Sequence, residues 1–367
     1  MKKILLTLLI LFSTIVSCDN SESDLVGPSY DRSSLLINWH TFHIQPGLNK
    51  LKLDLDQMNE SAIQFENQRD LNSLKNLRDD FISAYIKWQR VEMFNIGKAE
   101  ELYYNSKMNI YPSNTARIES NISSEEYDLL NANNFAAQGF PAIDYLLYGI
   151  GSSDEEILEK YTIDEKYINY LMAITNTAKN NTKEIVNSWE VYKYEFISST
   201  ENTATSSVNL VVNDFLFYYE KGFRANKFGI PGGVFSSMPL PENVEGYYSR
   251  EHSKQLAQSA INYIKNFYEG INGDNNNNYP GSSLKSIITD LDTKEGNKNL
   301  GYLISNKIDN ALNKISMLDD DFVNQIQNNN TELLQTYDAI QEVVVLLKVD
   351  MLQLLSINVD YVDADGD

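Results

Sequence analysis

The chain of 367 residues is poor in the residues that most often carry chemistry: it has one cysteine, Cys18, and three histidines, His40, His43 and His252. One cysteine cannot form a disulfide within the chain. No HExxH, no GxSxG and no phosphate-cradling glycine loop occurs, so zincin, serine-hydrolase and P-loop chemistry lack a local signature. Glycine (17) and proline (8) are also sparse and cluster between apolar runs, and no stretch alternates at period two. Basic residues are outnumbered, which leaves a formal charge of −21. Such a chain repels nucleic-acid phosphates and anionic headgroups, so nucleic acid is excluded as a partner. The acidity serves solubility, or the capture of cations.

What is present begins at the N-terminus. Lys2 and Lys3 precede an apolar run from Ile4 to Val16, too short to span a bilayer as a helix. The run ends "IVSC", which resembles the lipobox of bacterial lipoproteins, in which the cysteine is acylated and becomes residue one of the mature protein. Residues 1–17 are then a signal peptide, Cys18 the lipid attachment site, and the polar residues 18–30 a flexible tether. Two acyl chains give the stable anchoring that one cannot. The expected location is the bacterial cell envelope, at the outer membrane, with the membrane as a partner through Cys18. Once Cys18 is acylated no thiol remains for a metal or a nucleophile.

The dominant period is helical. Leu74, Leu77, Phe81, Ala84, Trp88 and Val91 recur at steps of three and four, as do Tyr167, Leu171, Ile174 and Ala178, and Ile340, Val344, Leu347, Met351 and Leu354. The fold class expected is all-α, with two helical-bundle domains, 31–200 and 201–367, of a size that fits duplication. The Ser/Thr-rich stretch from Phe196 to Ser207 is the seam between them.

Four segments hold polar residues at spacings that could carry a site. In "GFPAIDYLLYG", Gly139 to Gly149, Pro141 suits the first turn of a helix, and Asp144 falls near that turn, at the positive end of the helix dipole. Gly149 suits a left-handed helix end. Local physics therefore explains the segment without a ligand, although Asp144 could add one oxygen to a cation site. Trp88 and Glu92, four apart, share a face of a long helix. His40 and His43, at i and i+3, make at most half a metal site. Asp363, Asp365 and Asp367 resemble the start of a calcium loop that stops before its closing glutamate.

Taken together, "AYIKWQRVEMFNIG" (Ala84 to Gly97), "AAQGFPAIDYLLYG" (Ala136 to Gly149), "FRANKFGIPGG" (Phe223 to Gly233) and the segment from Val345 to Asp367 resemble, in order, the motifs of imelysin-like proteins. "FHIQP" (Phe42 to Pro46) fits the same pattern. The resemblance implies an exported, often lipid-anchored, all-helical protein of two bundles related by duplication, with a site where they meet. It also implies either a peptidase or a component of iron uptake working with other metal-uptake proteins. The family hallmark GxHxxE falls on Gly139, Pro141 and Asp144, so proline stands for the histidine and aspartate for the glutamate. By position within resembling segments, Glu92, Trp88, Arg224 and Asp350 join these as site residues, and a divalent metal or iron is the implied cofactor. The function expected is a binding or accessory role in metal acquisition. A metallopeptidase and a metal-free cell-surface interaction module are the rival readings.

Overall fold

The computed structural model describes residues 29–272, 277–279, 281–296 and 299–361. The expected signal peptide and lipid attachment site at Cys18, most of the expected tether, and Asp363, Asp365 and Asp367 lie outside the described residues. Within them the fold is all-α: helices follow one another, and the only extended pairing is an isolated bridge between Ile271 and Asn278. No described helix is long and apolar enough to cross a membrane.

Three long helices form the first bundle: Gln45–Gln68, Leu71–Trp88 and the 34-residue Glu165–Ser198. Their starts follow from local chemistry. Asp70 opens the Leu71–Trp88 helix with a capping box, its carboxylate accepting Ser73 N–H at 2.8 Å while Ser73 Oγ accepts Asp70 N–H at 3.3 Å. The stripe Leu74, Leu77, Phe81, Ala84 and Trp88 is fully buried, as its spacing predicts. The second bundle packs Ser253–Glu269, Leu284–Glu295, Leu300–Met317 and Phe322–Val345 against one another. Between the two, the chain leaves helix at Ser198 and re-enters it at Ser207.

Four stretches adopt the wider π-helical register: His40–Ile44, Tyr145–Gly149, Tyr218–Gly229 and Leu346–Met351. Such turns are rare and gather at functional sites. Each continues a helix without a break, so one helix changes the direction its side chains face partway along. His40 and His43 sit in the first of these, each against aromatic rings: His40 beside Trp189, His43 edge-on to Phe267 and Tyr279.

The segment 139–149 corrects two expectations. Gly149 has no positive φ and ends nothing in the left-handed region. A Cβ there would lie 2.4 Å from the Tyr248 ring, so the glycine is there for close approach. The left-handed residue is Gly139, at φ +74°, where a Cβ would lie 2.3 Å from the Met108 carbonyl oxygen. The helix begins at Gly139, with Gln138 as N-cap, which makes Pro141 its third residue and Asp144 its sixth. Asp144 is therefore past the first turn, and its carboxylate is engaged elsewhere.

Candidate functional site

Asp144 is 1% exposed, and its carboxylate crosses to the 246–250 loop. Oδ2 accepts the Tyr248 N–H at 2.9 Å and Oδ1 the Ser249 N–H at 3.0 Å. Burial raises its pKa to about 6, against these hydrogen bonds, which favour the charge. Above it lies a cleft of about 210 Å³, walled by Tyr111, Pro112, Pro141, Tyr247 and Tyr248, with Ser113, Thr115 and Glu242 supplying polar edges. Pro141 presents only carbon to this space.

Behind the cleft, residues from four segments meet in a buried polar network. The Leu71–Trp88 helix ends at Trp88, so Glu92 is not on it, contrary to the spacing argument. Residues 89–93 continue as turns, and the Glu92 N–H still bonds the Trp88 carbonyl at 3.1 Å, which keeps the carboxylate within reach of the Trp88 indole N–H. Asn109 donates to Glu92 Oε1 and to Glu245 Oε1, both at 2.8 Å. Tyr85 donates to Asn109 Oδ1 at 2.8 Å, which fixes the amide's orientation. Gln89 donates to Glu245 Oε1 at 2.9 Å. Lys227, from the Tyr218–Gly229 segment, donates to Gln89 Oε1 at 2.8 Å and forms an ion pair with Glu245. Its ammonium is 3.9 Å from Glu92 Oε2.

One lysine thus faces two carboxylates, and the effect falls on Glu92. Its pKa is raised, first by burial and then by Glu245, against the opposing pull of Lys227. Burial also holds the Tyr85 and Tyr111 phenols well above their ordinary value, so both stay neutral donors. Trp88 packs edge-on to Tyr104 and against Phe140, walling the network on its apolar side.

The structure therefore gathers Gly139, Pro141, Asp144, Glu92 and Trp88 into one region. Arg224 belongs to a different buried cluster, donating to Tyr337 Oη at 2.6 Å and to Gln341 Oε1 at 2.5 Å beside Glu220. Asp350 lies on the Leu346–Met351 π turn and enters none of these hydrogen bonds. Sequence reading missed Gln89, Asn109, Lys227, Glu245, Tyr248 and Ser249. Gln89 and Lys227 were within reach, one beside Trp88 and the other three residues beyond Arg224, in segments already singled out. Among the described residues, no three of His, Cys, Asp and Glu converge as a metal group.

Comparison with known proteins matches residues 44–348 to the model of a peptidase family, M75, described as imelysin. No curated protein sequence matches. Among solved structures, the chain is similar to a protein from Parabacteroides distasonis described as an iron-regulated protein A precursor. That match has a TM-score of 0.74 at 18% identity and covers 90% of this chain and 97% of that one. It is also similar to an imelysin-like protein from Psychrobacter arcticum, with a TM-score of 0.69 at 16% identity, over 92% of this chain and 100% of that one. At these identities the structural matches establish the shared fold.

Proposed function

The chain belongs to the imelysin family, and on that premise we propose that it is a lipid-anchored envelope protein with a binding or accessory role in iron acquisition, and not a peptidase. The observation that carries this is the state of Pro141 and Asp144. A metallopeptidase needs a metal that activates water and a base to take its proton. Proline offers no ligand atom, and both Asp144 oxygens already hold backbone amides. The residues present do not fit a metal held by a His/Glu pair. The cleft is also small: about 210 Å³ falls below the ~300–1,000 Å³ of ordinary ligand pockets. It suits a compact group held between tyrosine rings more than a length of extended peptide. The iron-regulated description of a structural relative gives the role its direction, and the lipobox at Cys18 gives the anchor.

Two experiments test this. Deleting the gene from the producing bacterium should slow growth in iron-limited medium and leave iron-replete growth unchanged. The intact gene should restore growth, and Cys18→Ala, released from the membrane fraction, should not. Equal growth of the deletion strain under both conditions overturns the role. Purified protein should hydrolyse neither insulin nor casein, and chelator-sensitive hydrolysis would restore the peptidase reading. Pro141→His combined with Asp144→Glu should raise zinc affinity about tenfold or more, since it supplies the missing pair.

A further inference from the structure

The walls of the Asp144 cleft select the charge of what enters it. Among the described residues that line it there is no lysine, arginine or histidine, while two carboxylates, Asp144 and Glu242, share the wall with three tyrosines. The ammonium of Lys227 lies behind one of these, 6.0 Å from the centroid of the Tyr111 ring, and is already paired with Glu245. An anion is repelled in such a space and a cation is attracted, the more so where the wall excludes water.

The free atoms decide which cation. Both Asp144 oxygens hold backbone amides, so this group offers charge and no open coordination position. Glu242, exposed at the edge, is a single carboxylate, whereas a hard metal ion asks for about six oxygens or more. Most of the remaining wall is aromatic or proline carbon. Such a surface suits a cation whose charge is spread over methyl groups, held by the electron-rich faces of the rings.

The aromatic wall is also fixed in advance. Tyr247 meets Tyr248 at 83° with ring centroids 4.9 Å apart, which makes a corner of two nearly perpendicular rings. Tyr145 braces Tyr248 from another side at 61°, and Gly149 leaves no room for a side chain against it. A wall that is ordered before the ligand arrives spares the cost of ordering it on binding.

We propose that this cleft binds a methylated ammonium group, with Tyr111, Tyr247 and Tyr248 as its aromatic wall and Asp144 and Glu242 as its counter-charge. The proposal rests on the reading of the cleft as the binding site and is independent of the iron role. Small free solutes and choline lipid headgroups both carry this group.

The test is calorimetric titration of the purified full chain with tetramethylammonium chloride and with choline chloride at about pH 8, where Asp144 is charged. One saturable site is expected for each. Dimethylbutanol, the uncharged carbon analogue of choline, should bind at least about tenfold more weakly. Tyr247→Phe keeps the ring and should hold affinity within about threefold, whereas Tyr247→Leu should lose about tenfold. Glu242→Gln, at an exposed position, should weaken binding about threefold at low salt while the circular dichroism melt stays unchanged. Asp320→Asn, in the exposed acidic cluster 319–321, should leave binding unchanged. Sedimentation of the Cys18→Ala chain with phosphatidylcholine vesicles separates the two sources. Pelleting that free choline reverses assigns the lipid headgroup, and choline binding without pelleting assigns the solute. Equal binding of choline and dimethylbutanol overturns the proposal, as does affinity that survives Tyr247→Leu or is lost with Asp320→Asn. Absence of saturable binding at millimolar tetramethylammonium overturns the ligand class and leaves a growth defect under iron limitation standing. Absence of that defect overturns the iron role and leaves the titration standing.

Discussion

Two glutamates held inside the protein, Glu92 and Glu220, meet at the π-helical segment Tyr218–Gly229, which contains Glu220 and sends Lys227 toward Glu92, and they have opposite fates. Glu220 is 1% exposed, and each of its oxygens has a donor. Lys348 reaches Oε1 at 3.3 Å and Tyr361 reaches Oε2 at 2.7 Å, with Arg224 3.7 Å from Oε1. Glu92 shares Lys227 with Glu245, which holds the ammonium more closely, and its own Oε2 lies 3.9 Å from that ammonium. A saturated carboxylate fastens the fold, here tying the C-terminal residues to the Tyr218–Gly229 segment. A carboxylate short of donors keeps a capacity to take a proton or a cation. The difference separates structure from candidate function more sharply than burial does.

The comparison breaks most visibly if Lys227 is removed. Lys227→Met leaves Glu92 and Glu245 buried together without their cation, and should cost about 3–5 kcal/mol in urea unfolding at pH 8. Adding Glu245→Gln should restore much of that loss. A loss under about 1 kcal/mol would mean that the pair is solvated and the network is not as described.

Glu220→Gln sharpens the other side. The amide keeps the shape but turns an NH₂ toward cationic neighbours, so a loss of about 2–3 kcal/mol in urea unfolding is expected. A loss under about 1 kcal/mol would mean that Lys348, Tyr361 and Arg224 do not depend on the Glu220 charge.

The smallest effect is a gain. Asp214 has a folded pKa of about 8 against 3.8 for an ordinary aspartate carboxyl, so the folded state binds the proton more tightly. Stability from this group is complete below about pH 3.8 and is lost as pH rises through about 8. Asp214→Asn should therefore stabilise the protein by about 2 kcal/mol at pH 9 and by almost nothing at pH 4. Equal urea midpoints for variant and wild type at pH 9 would refute the burial of this charge.

The helices were legible because their stripes are local. Leu74 to Trp88 and Ile340 to Leu354 announce a buried face by spacing alone, and every such residue named in those two runs is buried. The site was legible only where a motif marked it. Asp144, Glu92 and Trp88 could be named, but not what holds them, since Tyr248 and Ser249 arrive 104 and 105 residues after Asp144, and Glu245 156 residues after Gln89, with no periodicity of their own. The π turns were invisible for a different reason. A one-residue shift of register leaves apolar steps of three and four nearly intact, so Gly149 read as a helix end when it sits in a widened turn against Tyr248.

That widened register has a consequence for how the chain can tolerate loss of a residue. Glu220 and Lys227 lie on the same Tyr218–Gly229 segment, one facing each polar cluster. Deleting a single residue between them would let the backbone relax toward the α form and rotate everything downstream by about 100°. Lys227 would then swing away from Glu245 while Glu220 kept its place. A substitution along this stretch disturbs one polar cluster at a time, whereas a single codon lost from it would break the fixed orientation of one cluster relative to the other.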